Sequence, residues 1–178
     1  VPVDVIPARR LPDVKKLADY KLVIAPALLF QDQAMVDALK SYVAGGGHLV
    51  LTVRCGMKDA YNAMLPMRQP GGLTEMAGVE VEEYFALEEP VPVLANWFEG
   101  QSRLWAERLA LTGKDSARVI ARYKKSNGWL DGQVAISVNS FGKGLVYYVG
   151  TYLDEPAQKE LLTRMLKTSR VTTISTPP

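Results

Sequence analysis

The chain has 178 residues, of which 48% are hydrophobic and 22% charged, a composition that excludes a disordered polypeptide and suits one generous globular domain rather than two. Twenty-one Lys and Arg against 19 Asp and Glu leave a net charge of +2, too balanced to imply a nucleic-acid or membrane-surface partner. One Cys and one His exclude a disulfide framework and an ordinary Cys/His zinc site, and no cofactor is expected.

The opening run Val1-Pro-Val-Asp-Val-Ile6 reads as a β-strand entered from its first residue. It has no initiator Met, basic n-region or long apolar h-region, so it is not a signal peptide. A segment cut from a longer polypeptide is expected, cytoplasmic for want of a targeting signal. A polar connector, Ala8 to Asp19, carries Pro12 and Asp13 as turn residues. Lys21-Leu-Val-Ile-Ala25 is a candidate buried strand; the apolar run containing it, Leu22 to Phe30, is broken by Pro26 and too short to span a membrane. From Asp32 the period changes. Met35, Val36, Leu39, Tyr42 and Val43 form one apolar helical stripe, with Gln31 or Asp32 as N-cap and Gly45-Gly-Gly47 as terminator. His48 to Val53 is the next apolar strand. Strand, helix and strand in succession make a βαβ unit, hence a parallel sheet with a right-handed crossover.

Arg54 to Gly72 is rich in Met, Pro and Gly and too irregular for a helix; loops of this length are usually functional or lie at an interface. A short helical piece, Leu73 to Ala77, leads into Val79 to Phe85, which alternates apolar and acidic residues as an exposed strand does. From Val91 to Gly144 the chain reads as antiparallel β, with turns at Thr112 to Asp115, Ser126 to Gly128 and Phe141 to Gly144. Leu145 to Val149 is expected to be the last core strand. A closing helix starts near Asp154-Glu155-Pro156 and buries Leu161, Leu162, Met165 and Leu166. Residues 169–178 read as a tail or linker after a domain of residues 1–168.

Cys55 is the first chemical candidate, because it follows a buried strand where an open parallel sheet places ligands and nucleophiles. A nucleophilic thiol needs a base or a lowered pKa. His48 opens the same strand, seven residues away, which at ~3.3 Å per residue is roughly 23 Å. It cannot serve Cys55 within one chain, and a small buried residue is the plainer reading of the thiol. The carboxylates Glu82-Glu83, Glu88-Glu89 and Asp154-Glu155 read as edge charge and a helix cap, not as a facing pair across a sugar. Gly45 to Gly47 follows a helix, the reverse of the order in phosphate-binding loops. Trp97, Trp105, Trp129 and Phe98 read as packing or interface.

Asp19 to Pro26, Ala38 to Gly46, Leu49 to Asp59 with Asn62, Pro70 to Tyr84 and Gly142 to Tyr152 together resemble the middle domain of the family 42 β-galactosidases, over nearly the whole chain to about Leu166. The run Leu49 to Asn62 is the most specific part. The resemblance implies an α/β, flavodoxin-like or class I glutamine-amidotransferase-like three-layer sandwich, with a central parallel sheet and an antiparallel β extension. It implies a non-catalytic, trimerising role, with the catalytic Glu pair in a preceding TIM-barrel domain and terminal β-D-galactosides as substrates. Cys55 stands where a Ser is common in that family. The expected contact surface is the Arg54 to Gly72 loop, through Arg54, Met57, Lys58, Tyr61, Met64, Met67 and Arg68. The competing reading is a small thiol enzyme of amidotransferase or peptidase type using Cys55.

Overall fold

The structure is a computed structural model that describes residues 2–12, 17–113, 115–126 and 128–172. Leu22–Ala25 forms strand β1, Gln33–Ala44 helix α1 and His48–Thr52 strand β2. The strands pair in parallel, Leu22 opposite His48 through Ala25 opposite Leu51, as the βαβ reading requires. The α1 N-cap is Asp32, whose carboxylate accepts from the Met35 N–H at 2.8 Å. The helix stops where the Gly45 N–H returns to Ser41 O and Gly46 takes φ +117°, a conformation that favours glycine.

Gly71–Leu73 is a 3₁₀ turn running into the short helix α2, Thr74–Ala77. Six strands follow: β3 (Val79–Ala86), β4 (Val91–Ala95), β5 (Glu99–Leu111), β6 (Ala117–Tyr123), β7 (Val134–Phe141) and β8 (Gly144–Val149). After Gly150 come β9 (Thr151–Leu153) and helix α3 (Glu155–Thr168). The strands make one sheet in the order β1-β2-β8-β7-β6-β4-β5-β3, with β9 added on β5.

Alternation sends successive residues of the shared strands to opposite faces. Leu49, Leu51, Val146 and Tyr148 pack with Met35, Val36, Leu39, Tyr42 and Val43 of α1. Val50, Tyr147 and Val149 pack with Leu161 and Met165 of α3. Each fully buried Leu or Val contributes about 1.5–3 kcal/mol, so the two faces together hold both helices on the sheet.

Three expectations are corrected. The opening run is no strand: residues 2–7 have no sheet partner, and Val3 and Val5 are exposed, because an alternating pattern makes a strand only where a neighbour supplies the hydrogen bonds. Parallel pairing is confined to β1, β2 and β8 at one side of the sheet, since the chain from β3 to β8 returns mainly by hairpins. Leu145 to Val149 is not the last strand, as β9 follows it and pairs antiparallel with β5. Asp154 holds the N-cap position of α3 without a side-chain capping bond. Asp13, Lys114, Asn127 and residues 173–178 of the expected turns and tail lie outside the described residues. No helix among the described residues is long and apolar enough to cross a membrane.

Candidate functional site

The segments after β1 and β2 leave the carboxyl ends of neighbouring parallel strands and interlock there. The Gly56 N–H donates to Leu28 O (2.9 Å), the Met57 and Lys58 N–H groups to Leu29 O (3.1 and 3.0 Å), and the Gln31 N–H to Lys58 O (3.0 Å). Gln31 ties the far end of the loop: its amide donates to Pro70 O at 3.1 Å and accepts from the Gly72 N–H at 3.0 Å. The crest is braced by Asp59, whose carboxylate accepts from the Tyr61 and Ala63 N–H groups, both at 2.9 Å. Lys58 Nζ donates to Asn62 Oδ1 at 2.7 Å.

On this braced frame Tyr61 is 92% exposed, Met64 57%, Met67 53% and Phe30 of the adjoining segment 44%. Arg54 and Arg68 are exposed beside them. Met57 is buried and does not belong to the exposed surface expected for it. The antiparallel bridge between Lys58 and Met64 and the bond from the Leu65 N–H to Met57 O fold the crest back over it.

The turn at the base of the loop is strained and anchored. Arg54 has φ +64°, which costs a non-glycine residue about 1–2 kcal/mol. Its N–H donates at 2.8 Å to the carboxylate of Glu107 on β5. The same carboxylate accepts from Trp105 Nε1 at 3.1 Å and from the Tyr148 hydroxyl at 2.9 Å. Glu107 is fully buried. Burial pushes its pKa up, against the opposing pull of the Arg54 N–H, Tyr148, Trp105 and the Arg54 charge. Above the carboxylate the Arg54 guanidinium lies 5.2 Å from the Trp105 ring centre, and Trp105 stacks on Tyr84 at 5.0 Å and 13°. Arg, Trp and Tyr in one rigid stack are the residue types that dominate binding energy at protein interfaces.

Cys55 lies next to this turn, fully buried. Its sulfur accepts from the Leu28 N–H at 3.3 Å and donates to Ala25 O at 3.5 Å. Burial, with a smaller contribution from the Glu107 charge, pushes the thiol up to about 12, the opposite of what a nucleophile needs. His48 pairs with Leu22 and Leu145 at the amino ends of the strands, away from Cys55. Cys55→Ser should therefore cost about 1 kcal/mol and leave assembly intact, as thermal melting and sedimentation of the variant will show. The native thiol should react with a thiol reagent no faster than the protein unfolds.

The remaining candidates stay apart. Glu82 pairs with Arg108 at 3.1 Å, and Glu83, Glu88 and Glu89 are exposed. Trp97 packs edge-on to Phe98 and under Arg164. Trp129 is 71% exposed and tilts against Phe85. No group of three or more His, Cys, Asp or Glu among the described residues could hold a metal ion. Sequence reasoning missed Phe30, Tyr84 and Glu107. Nothing local marks Glu107, since β5 also carries Glu99, Arg103 and Arg108.

Residues 1–172 match the family described as the beta-galactosidase trimerisation domain. The chain belongs to that family. β-Galactosidase BgaA of Clostridium cellulovorans is 35% identical over 154 residues, covering 85% of this chain and 23% of the relative. Gan42B, a GH42 β-galactosidase of G. stearothermophilus, superposes with a TM-score of 0.87 at 25% identity, over 98% of this chain and 24% of that one. The cold-adapted β-galactosidase of Rahnella sp. R3 gives 0.87 at 26%, over 97% and 25%. This trimerisation domain thus spans about a quarter of the length of the relatives it matches. An assembly module of GH42 β-galactosidases is the function that the resemblance implied, and a mixed α/β domain is the architecture.

Proposed function

We propose that the domain joins the subunits of a homotrimeric β-galactosidase, acting on terminal β-D-galactosides through a preceding TIM-barrel domain, and that the carboxyl edge of its sheet makes the contact. In this reading the fold is of the flavodoxin-like, class I glutamine-amidotransferase-like kind, with its ancestral site edge turned from catalysis to contact. Residues 1–168 form the module and residues 169–178 a linker. The observation that carries the proposal is the pairing of a hydrogen-bonded, partly buried frame with an apolar crest: a free loop has no reason to hold Tyr61, Met64 and Met67 in solvent.

A three-fold ring uses heterologous contacts, in which one surface of each subunit meets a different surface of the next. Exposed Met, Tyr and Arg suit such a surface better than Lys, which interfaces disfavour. Arg54, Tyr61, Met64, Met67 and Arg68, with Tyr84 and Trp105 beside them, are the contacts proposed, and Lys58 braces the crest. Met57 is withdrawn because it is buried. Sedimentation equilibrium of the longer polypeptide should give three times the mass of one chain. A monomer or dimer overturns the reading.

A further inference from the structure

Strand β1 ends the sheet, and a cavity of about 580 Å³ runs along its open side. Every residue of Leu22–Ala25 lines it. Because neighbouring strand residues point to opposite faces, a cavity touching all four lies along the edge of the strand and not upon a face. Pro2, Val3, Asp4 and Ile6 of the amino-terminal segment line it as well, together with Leu166, Val171 and Thr172. That segment is tied to the cavity where the Tyr20 hydroxyl donates to the Asp4 carboxylate at 2.9 Å.

The edge is unpaired in a regular way. Lys21 O accepts from the His48 N–H, so in a parallel ladder Lys21, Val23 and Ala25 turn their backbone groups toward β2, and Leu22 and Ile24 turn theirs into the cavity. Among the described residues nothing meets the N–H or C=O of Leu22 and Ile24. Both faces beside the slot are apolar: Val23, Ile6 and Leu28 pack on the α1 side, Leu22 on the α3 side. Ile24 is left 47% exposed.

We propose that this slot seats a β-strand of the longer polypeptide, from outside residues 1–178, running parallel to β1 between it and residues 3–6. The relatives are about four times the length of this chain, so the same polypeptide has ample chain to supply it. Burial on both faces requires a continuous apolar, β-branched segment, as in other parallel strands. The alternation of Val3, Asp4 and Val5 is then that of a strand whose neighbour lies elsewhere in the polypeptide. The proposal rests on the chain being part of a longer protein and not on which surface makes the trimer; a monomeric parent with a filled slot leaves it standing.

Hydrogen exchange resolved at single amides tests it in the longer polypeptide and in the 178-residue chain. In the longer polypeptide the Leu22 and Ile24 amides should exchange as slowly as those of Val23 and Ala25. In the short chain the same two should exchange faster by roughly 100-fold or more, as unpaired edge amides do. Fast exchange in both proteins means an open edge and overturns the proposal. Slow exchange in both means that residues 2–6 close the edge alone, and protection that rises with concentration in the short chain means a second copy; either overturns it. Should the short chain fail to fold, the longer polypeptide decides by itself, together with Ile24→Pro. Loss of that amide should lower the melting temperature by several degrees if a strand is seated there, whereas a true edge accepts Pro; an unchanged melting temperature overturns the proposal.

Discussion

Glu107→Ala should cost the domain roughly 3–5 kcal/mol, enough to unfold it or bring it close to unfolding, because one buried carboxylate satisfies three donors. Truncation strands the Arg54 N–H, the Trp105 indole and the Tyr148 hydroxyl and leaves the strained Arg54 turn without its anchor. Glu107→Gln should fold. Its carbonyl can take the Arg54 and Trp105 bonds, and its amide can donate to the Tyr148 oxygen. The pH dependence distinguishes the two further. Glu107 is raised above its ordinary value of 4.5 by burial, so the folded state binds the proton more tightly than the unfolded one. Its contribution is present in full below the ordinary glutamate range and is lost as pH rises through the raised value. Denaturant melts from pH 4 to 8 should show this loss in the wild type and not in Glu107→Gln. A wild type that gains stability over that range through this residue would contradict the assignment.

Gly56→Ala should be nearly as damaging, by about 3 kcal/mol or more. Gly56 has φ +66°, and an added Cβ would overlap the Gln31 amide and the Pro70 carbonyl. Those groups tie the far end of the Arg54 to Gly72 loop to the segment after β1, so the substitution should release the crest as well as weaken the fold. Gly128 is the control. Its φ is +79° with open space where a Cβ would stand, so Gly128→Ala meets strain alone and should cost about 1 kcal/mol. Comparing the two variants by denaturant melting separates backbone strain from steric overlap. Equal, small costs would mean that the loop base is not closed in the way described.

The βαβ unit was legible in the sequence because both of its signals are local. The helical spacing of Met35, Val36, Leu39 and Tyr42 and the β-branched runs at Leu22 and Leu49 need no distant partner to be read. The same logic failed at Val1 to Ile6, where local alternation promised a strand but residues 2–7 have no sheet partner among the described residues. Met57 was taken for surface because its loop is irregular and rich in Met, Pro and Gly; its burial depends on Met64 and Leu65 folding back across it. Glu107 was invisible for a similar reason. On β5 it looks like one more charge on a long strand, and only the approach of Tyr148 from β8 and of the Arg54 turn from β2 encloses it. Cys55 was placed correctly, at the end of a buried strand and away from His48, because strand length alone fixes that separation.

The contact edge itself is tested most directly by sedimentation velocity of the longer polypeptide with Tyr61, Met64 and Met67 changed to Asp. All three are exposed in the single domain, so its fold and melting temperature should hardly change while the assembly loses its apolar contact. Leu111→Asp is the matched control, an exposed apolar residue on the same strand as Trp105 and roughly 20 Å along it. The account predicts that the triple variant sediments as a monomer under conditions where wild type and Leu111→Asp sediment as trimers. A triple variant that remains a trimer of unchanged stability would contradict it.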